Sequence, residues 1–243
     1  MAIGLVGSEM CIRDRGMSAS SVLIDIKNGD ILSLVSTPSY NPNNFVLGIS
    51  QSDWNALLND ERKPLLNKAT SGAYPPGSTF KMVVAAAALE LGLIGLNDKI
   101  FCAGFYELGS RKFHCWLKGG HGKLTLQEGL QKSCDVYFYE LARKVGVKRI
   151  GDMARRLGLG QAYNLPLTGL SKGFVPTKKW KKERFGTSWL VGDTLNVGIG
   201  QGFSLATPLQ LAVMTARLAS GKEVIPNFIK DFNKNTDNPK ALL

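Results

Sequence analysis

Ser78-Thr79-Phe80-Lys81 places a hydroxyl and an amine three residues apart, directly after Tyr74-Pro75-Pro76-Gly77. Three residues is close to one helical turn, so both side chains share a face if a helix begins here, and the amine can reach Oγ. A serine becomes a nucleophile when a neighbouring base takes its proton, and burial or nearby positive charge makes a lysine such a base. The N-terminal end of a helix also favours the developing alkoxide. Alone, this spacing arises by chance as an N-cap serine with a solvated lysine. Its setting is more specific. Pro75-Pro76-Gly77 gives a rigid approach, and the alanine-rich run Met82 to Leu89 reads as a buried helix over 78–91, closed by Gly92.

A second pair, Ser133 and Asp135, falls in a break between two helical stretches. A decoy overlaps the first motif, because Gly72 and Gly77 have the spacing of a phosphate loop. Ser78 stands where that motif needs its lysine, and two prolines remove backbone donors, which argues against a nucleotide site. Cys102, Cys115, His121 and Cys134 form a third constellation, a complete Cys3His set of the kind that closes a structural zinc site. The spacing lacks a tight Cys-x2-Cys pair, and His114 competes with His121 as ligand. A Cys102–Cys115 disulfide with Cys134 free, or three unpaired buried thiols, are the other readings.

The elements that must carry these residues are legible from pattern. Two β-rich runs around Asn28-Gly29 read as a hairpin over 21–36 with a type I′ turn. Ser50 or Ser52 caps a short helix through Leu58. The segment 101–122 is glycine-rich and irregular. Thr125 with Glu128 forms a capping box, helical patterns follow at 136–145 and 148–157, and 161–200 reads as loop. Thr207-Pro208 opens a helix that runs to Ser220 and stops at Gly221. Strands first and helices after, with a helical subdomain over about 97–220, indicate an α+β fold rather than a doubly wound sheet.

The 243 residues are 44% hydrophobic, enough for a sizeable core. No apolar run approaches the ~20 residues that cross a bilayer. The formal charge of +11 suits an anionic partner. The densest basic run, Lys178-Lys179-Trp180-Lys181-Lys182, reads as a solvated loop facing substrate or membrane, and nothing indicates a nucleic-acid reader. Residues 1–16 read as a non-native leader, too short in apolar length for a signal sequence.

The order Ser78-x-x-Lys81 then Ser133-x-Asp135 resembles the active sites of penicillin-binding proteins and serine β-lactamases. The wording around it, including Val136-Tyr-Phe-Tyr139, Gly192-Asp-Thr194 and Val197-Gly-Ile-Gly-Gln-Gly202 through Ala206-Thr-Pro-Leu-Gln210, is similar to class B transpeptidases, nearest to the rod-elongation type, over roughly 20–228. The resemblance implies a β-lactamase/D,D-peptidase-like fold and cross-linking of peptidoglycan stem peptides through a Ser78 acyl-enzyme. It implies Lys81 as base, Ser133 as proton relay, and Asp135, where many relatives carry Asn, as orienting group. It also implies β-lactams as suicide substrates, no cofactor for catalysis, and a place on the periplasmic face of the inner membrane, tethered by an N-terminal segment outside this chain. The expected partners are the lipid-linked precursor, a glycosyltransferase and elongation-complex membrane proteins. The family's Lys-Ser/Thr-Gly motif is absent, since Ser171-Lys172-Gly173 has the wrong order. The expectation is therefore an incomplete sheet and a fragment inactive by itself. A division-type enzyme, a β-lactam sensor and a β-lactamase are the alternatives, the last without a suitably placed class A glutamate.

Overall fold

The structure, a computed structural model, is described for residues 17–228, 241 and 242. The expected leader and most of the polar tail after Lys230 lie outside the described residues.

Antiparallel strands β1 (Ala19–Ile24) and β2 (Ile31–Thr37) come first, in one register from Ala19↔Thr37 to Leu23↔Ser33 and shifted by a bulge at Ile24↔Ile31. Alternation gives the ladder one apolar face, where Val22, Ile24 and Ile31 pack with Leu165, Leu209 and Val213. The expected two-residue turn does not form. Residues 25–30 make a wider connection in which Gly29 has the positive φ (84°). The cause is a third segment docked on the turn. Asn227 N–H donates to Gly29 O, Ile31 N–H donates to Asn227 O, and a Cβ on Gly29 would lie 2.0 Å from Ile225 O.

Helix α1 (Gln51–Asn59) starts at Ser50, whose hydroxyl accepts from Asp53 N–H. The segment expected as a single helix over 78–91 is less regular. Gly77–Phe80 is a 3-10 turn that passes into α2 (Lys81–Glu90). The glycine-rich segment holds two short ladders. β3 (Ile100–Cys102) pairs with β6 (Gly122–Leu124), and β4 (Phe105–Leu108) pairs with β5 (Arg111–His114).

Four helices then follow the expected starts: α3 (Leu126–Gln131), α4 (Asp135–Val145), α5 (Val147–Arg156) and, after a gap, α8 (Pro208–Ser220). The stretch read as loop contains two more, α6 (Lys178–Phe185) and α7 (Val191–Gly198). The basic run is therefore helical and not wholly solvated. Lys181 is buried, ion-paired with Asp193, and lies over the rings of Trp189 and Phe203. The fold is α+β, with helices around small antiparallel ladders. Its core sets Val83, Val84, Ala87 and Ala88 of α2 against α4 and α5, with α7 also packed on α4.

Candidate active site

Ser78 lies in the 3-10 turn before α2, and Ser133 in the connection just before α4, 55 positions later in the sequence. The fold brings their hydroxyls to 2.8 Å, Ser133 Oγ donating to Ser78 Oγ. Lys81, at the start of α2 and 1% exposed, aims its amine the same way. Its Nζ donates to Ser133 O (2.8 Å), Ser133 Oγ (3.0 Å) and Asp135 Oδ1 (2.7 Å). All three ammonium protons thus have acceptors. The Phe138 ring, 5.7 Å from Nζ, covers the amine from α4. No hydrogen bond joins Lys81 to Ser78 directly, contrary to the expectation from spacing. Ser133 Oγ bridges them instead, accepting from Lys81 Nζ and donating to Ser78 Oγ.

Two details fix this wall. Ser133 has φ +49°, a left-handed conformation that is costly for a non-glycine residue and concentrates at functional sites. Asp135 is the first residue of α4, where the helix dipole favours a carboxylate. Its second oxygen accepts from Trp116 N–H (3.0 Å), and the Trp116 indole N–H donates to Lys132 O (3.1 Å). Trp116 was not singled out by sequence. The group it offers Asp135 is a backbone amide, and residue type does not encode that.

Behind the wall, Cys102, Cys115, His121 and Cys134 converge, each offering one ligand atom, all within 4.8 Å of one another. The Cys102 and Cys115 sulfurs lie 3.7 and 3.6 Å from His121 Nδ1. A tetrahedral zinc about 2.3 Å from sulfur and about 2.0 Å from nitrogen separates such atoms by about 3.6 Å. The residues fit the ion. The three thiols are buried and free, so the Cys102–Cys115 disulfide does not form. Burial pushes the Cys134 thiol well above its usual range, so a thiolate there requires a cation beside it. Burial also lowers the His121 pKa, which keeps the imidazole neutral, the form that ligates metal. His114 instead lies on β5, and its carbonyl accepts from the Tyr139 hydroxyl. Cys115 and Cys134 each immediately precede a residue of the wall, Trp116 and Asp135. The cluster and the catalytic candidates therefore share a backbone.

A family model of the penicillin-binding protein transpeptidase domain matches residues 19–242. The chain belongs to this family. Among transpeptidase relatives, the peptidoglycan D,D-transpeptidase MrdA of Escherichia coli K12 is 45% identical over 199 residues, 81% of this chain and 31% of the relative. The structure is similar to that of PBP2 in its complex with MreC from Helicobacter pylori (TM-score 0.89, 38% identity, 97% of this chain and 44% of that one). It is also similar to Pseudomonas aeruginosa PBP2 in complex with WCK 5153 (TM-score 0.84, 38% identity, 90% of this chain and 51% of that one). The chain spans about a third of the length of the curated relatives it matches.

Proposed function

We propose that this chain is the nucleophile-bearing part of a peptidoglycan D,D-transpeptidase of the cell-elongation type. The observation that carries the reading is the continuous hydrogen-bonded path Ser78–Ser133–Lys81–Asp135. Ser78 Oγ attacks the carbonyl carbon of the penultimate D-Ala of a stem peptide. Its proton passes to Ser133 Oγ, and the Ser133 proton passes to Lys81 Nζ, which acts as base only after its ammonium has released one of its three protons to solvent and turned the freed lone pair toward Ser133. The path then runs in reverse. Collapse of the tetrahedral intermediate breaks the C–N bond, and the proton returns through Ser133 to the departing terminal D-Ala. An amine from a second stem then attacks the ester carbonyl, loses a proton along the same path and frees Ser78. Asp135 holds Lys81 in line, and the Ser78 backbone N–H is one oxyanion donor. β-Lactams acylate the same serine.

The site requires the periplasmic face of the inner membrane, where stem peptides and the lipid-linked precursor meet. The partners we propose are a glycosyltransferase and elongation-complex membrane proteins. The similarity to a PBP2 in complex with MreC supports this. The test uses the chain extended to the length of its relatives and a fluorescent penicillin. Wild type should be labelled covalently and Ser78→Ala should not. Absence of label on wild type would sink the reading.

We further infer that Cys102, Cys115, His121 and Cys134 hold a structural zinc, which supplies no chemistry to acyl transfer and ties the 102–121 segment to the active-site wall. Metal analysis of the purified protein should find close to one zinc per chain. Less than about a tenth of an equivalent contradicts the assignment.

A further inference from the structure

The stretch Gly198-Ile199-Gly200 touches both halves of the active site without contributing a side chain to either. Gly77, the residue before the nucleophile, donates its N–H to Gly200 O at 2.9 Å. A Cβ on Gly200 would stand 2.1 Å from Gly77 O and 2.7 Å from Gly77 N. Two residues earlier, at the end of α7, a Cβ on Gly198 would stand 2.3 Å from the Ala142 Cβ and 3.3 Å from Phe138 O, both on α4. Helix α4 begins with Asp135 and carries the Phe138 ring over Lys81. One glycine therefore seats the nucleophile's turn, and the other seats the helix that bears the proton-handling wall.

We propose that Gly198 and Gly200 are positioning residues for acylation, together setting the register between Ser78 and the Ser133–Asp135 wall. This rests on the transpeptidase reading. The two halves meet at the catalytic centre through side chains, Ser78 Oγ to Ser133 Oγ at 2.8 Å and Lys81 Nζ to Asp135. A hydroxyl pair keeps its bond over only a few tenths of an ångström. A Cβ at either glycine forces a displacement of about 1 Å, enough to cost about 10²-fold in rate when it reaches reacting groups.

The sequence pattern Gly-x-Gly also permits a purely conformational role, and the two glycines differ in a way that separates the possibilities. Gly200 has φ +72°, so Ala there adds backbone strain as well as a collision. Gly186, at φ +67° with no atom within 4 Å of its would-be Cβ, ends α6 and controls for strain alone. Gly198 lies within α7 and not among the positive-φ glycines, so Ala there suits the helix and only the collision is unfavourable.

The experiment measures the acylation rate constant of folded protein by fluorescent penicillin, in the chain extended to the length of its relatives, with the folded fraction taken from thermal melts. Gly200→Ala should acylate at least tenfold more slowly per folded molecule than Gly186→Ala, with the loss in the acylation step and not in penicillin binding. Gly198→Ala should slow acylation similarly, and adding Ala142→Gly should restore most of the rate by reopening the space. If Gly200→Ala does not fold, the Gly198→Ala and Ala142→Gly pair decides. Equal rates per folded molecule in Gly198→Ala and Gly186→Ala, or no recovery on adding Ala142→Gly, would overturn the proposal. An unlabelled wild type would overturn the transpeptidase reading itself, and this role with it.

Discussion

Lys81 offers three N–H donors and the wall offers three acceptors, so the cost of burying a charged amine is met by full hydrogen bonding and one carboxylate. Ser133 is the shared member, touching both Lys81 and Ser78. Ser133→Ala should leave the fold intact and reduce the acylation rate by about 10²–10⁴-fold, the usual contribution of a positioned proton carrier. A rate unchanged in stopped-flow labelling would route the proton elsewhere. Asp135→Ala removes the acceptor of both Lys81 and Trp116 N–H, and should lower unfolding free energy by about 3–5 kcal/mol in denaturant titration. Asp135→Asn keeps an acceptor oxygen and should cost clearly less. At this scale the sequence was informative about chemistry and silent about connection. Ser78, Lys81, Ser133 and Asp135 were legible from residue type and wording. The bridging place of Ser133 between Lys81 and Ser78 was not, because it depends on the fold bringing residue 133 to residue 78 and on the left-handed φ of Ser133.

Helix ends are where the sequence and the structure agree most closely. Thr125 and Glu128 cap each other reciprocally at α3, and Thr207 and Gln210 do so at α8. Glu128 accepts from the Thr125 backbone N–H and then from its hydroxyl, and these bonds hold its carboxyl below the ordinary 4.5. A carboxyl depressed in the folded state stabilises above its unfolded pKa and loses that contribution as pH falls through the folded one. The gap in melting temperature between wild type and Glu128→Gln should therefore be widest near neutral pH and close as pH drops below 4.5. A gap that widens on acidification would contradict the cap's charge. Gln210 is buried and does more than cap. Its Oε1 accepts from Thr207 N–H, and its Nε2 donates to Gln161 O and Lys172 O, pinning the loop before α6. Gln210→Ala leaves buried partners unpaired and should cost about 2–4 kcal/mol by chemical unfolding. Helices α6 and α7 were not legible. Lys178–Phe185 has no apolar stripe, and it is held by a Thr177 cap, by Trp180 against Phe174 and Phe203, and by the buried Lys181–Asp193 pair. Local periodicity carries none of those partners. The hairpin turn shows the same limit, since Asn28-Gly29 favours a tight turn and the segment around Asn227 reshapes it.

Across the whole molecule, the Cys/His cluster lies behind the Ser133–Asp135 wall, and Gly198 and Gly200 pack closely on α4 and on the turn before Ser78. The apolar core under α2 and α4 was visible as alanine and aromatic runs. What joins the glycine-rich 101–122 segment to that core was visible only as ligand types, and the structure adds that Cys115 and Cys134 adjoin Trp116 and Asp135. Chelation of the proposed zinc should lower the melting temperature and free three thiols to a thiol reagent. A melt unaffected by chelator would detach the cluster from the fold's stability. The central claim is that Ser78 is the acyl-accepting atom of the site. The most direct measurement is intact-mass and peptide mapping after incubating the chain, extended to the length of its relatives, with a penicillin. One adduct per chain, on the peptide containing Ser78 and lost in Ser78→Ala, is the predicted result. An adduct on another residue, or none, would contradict it.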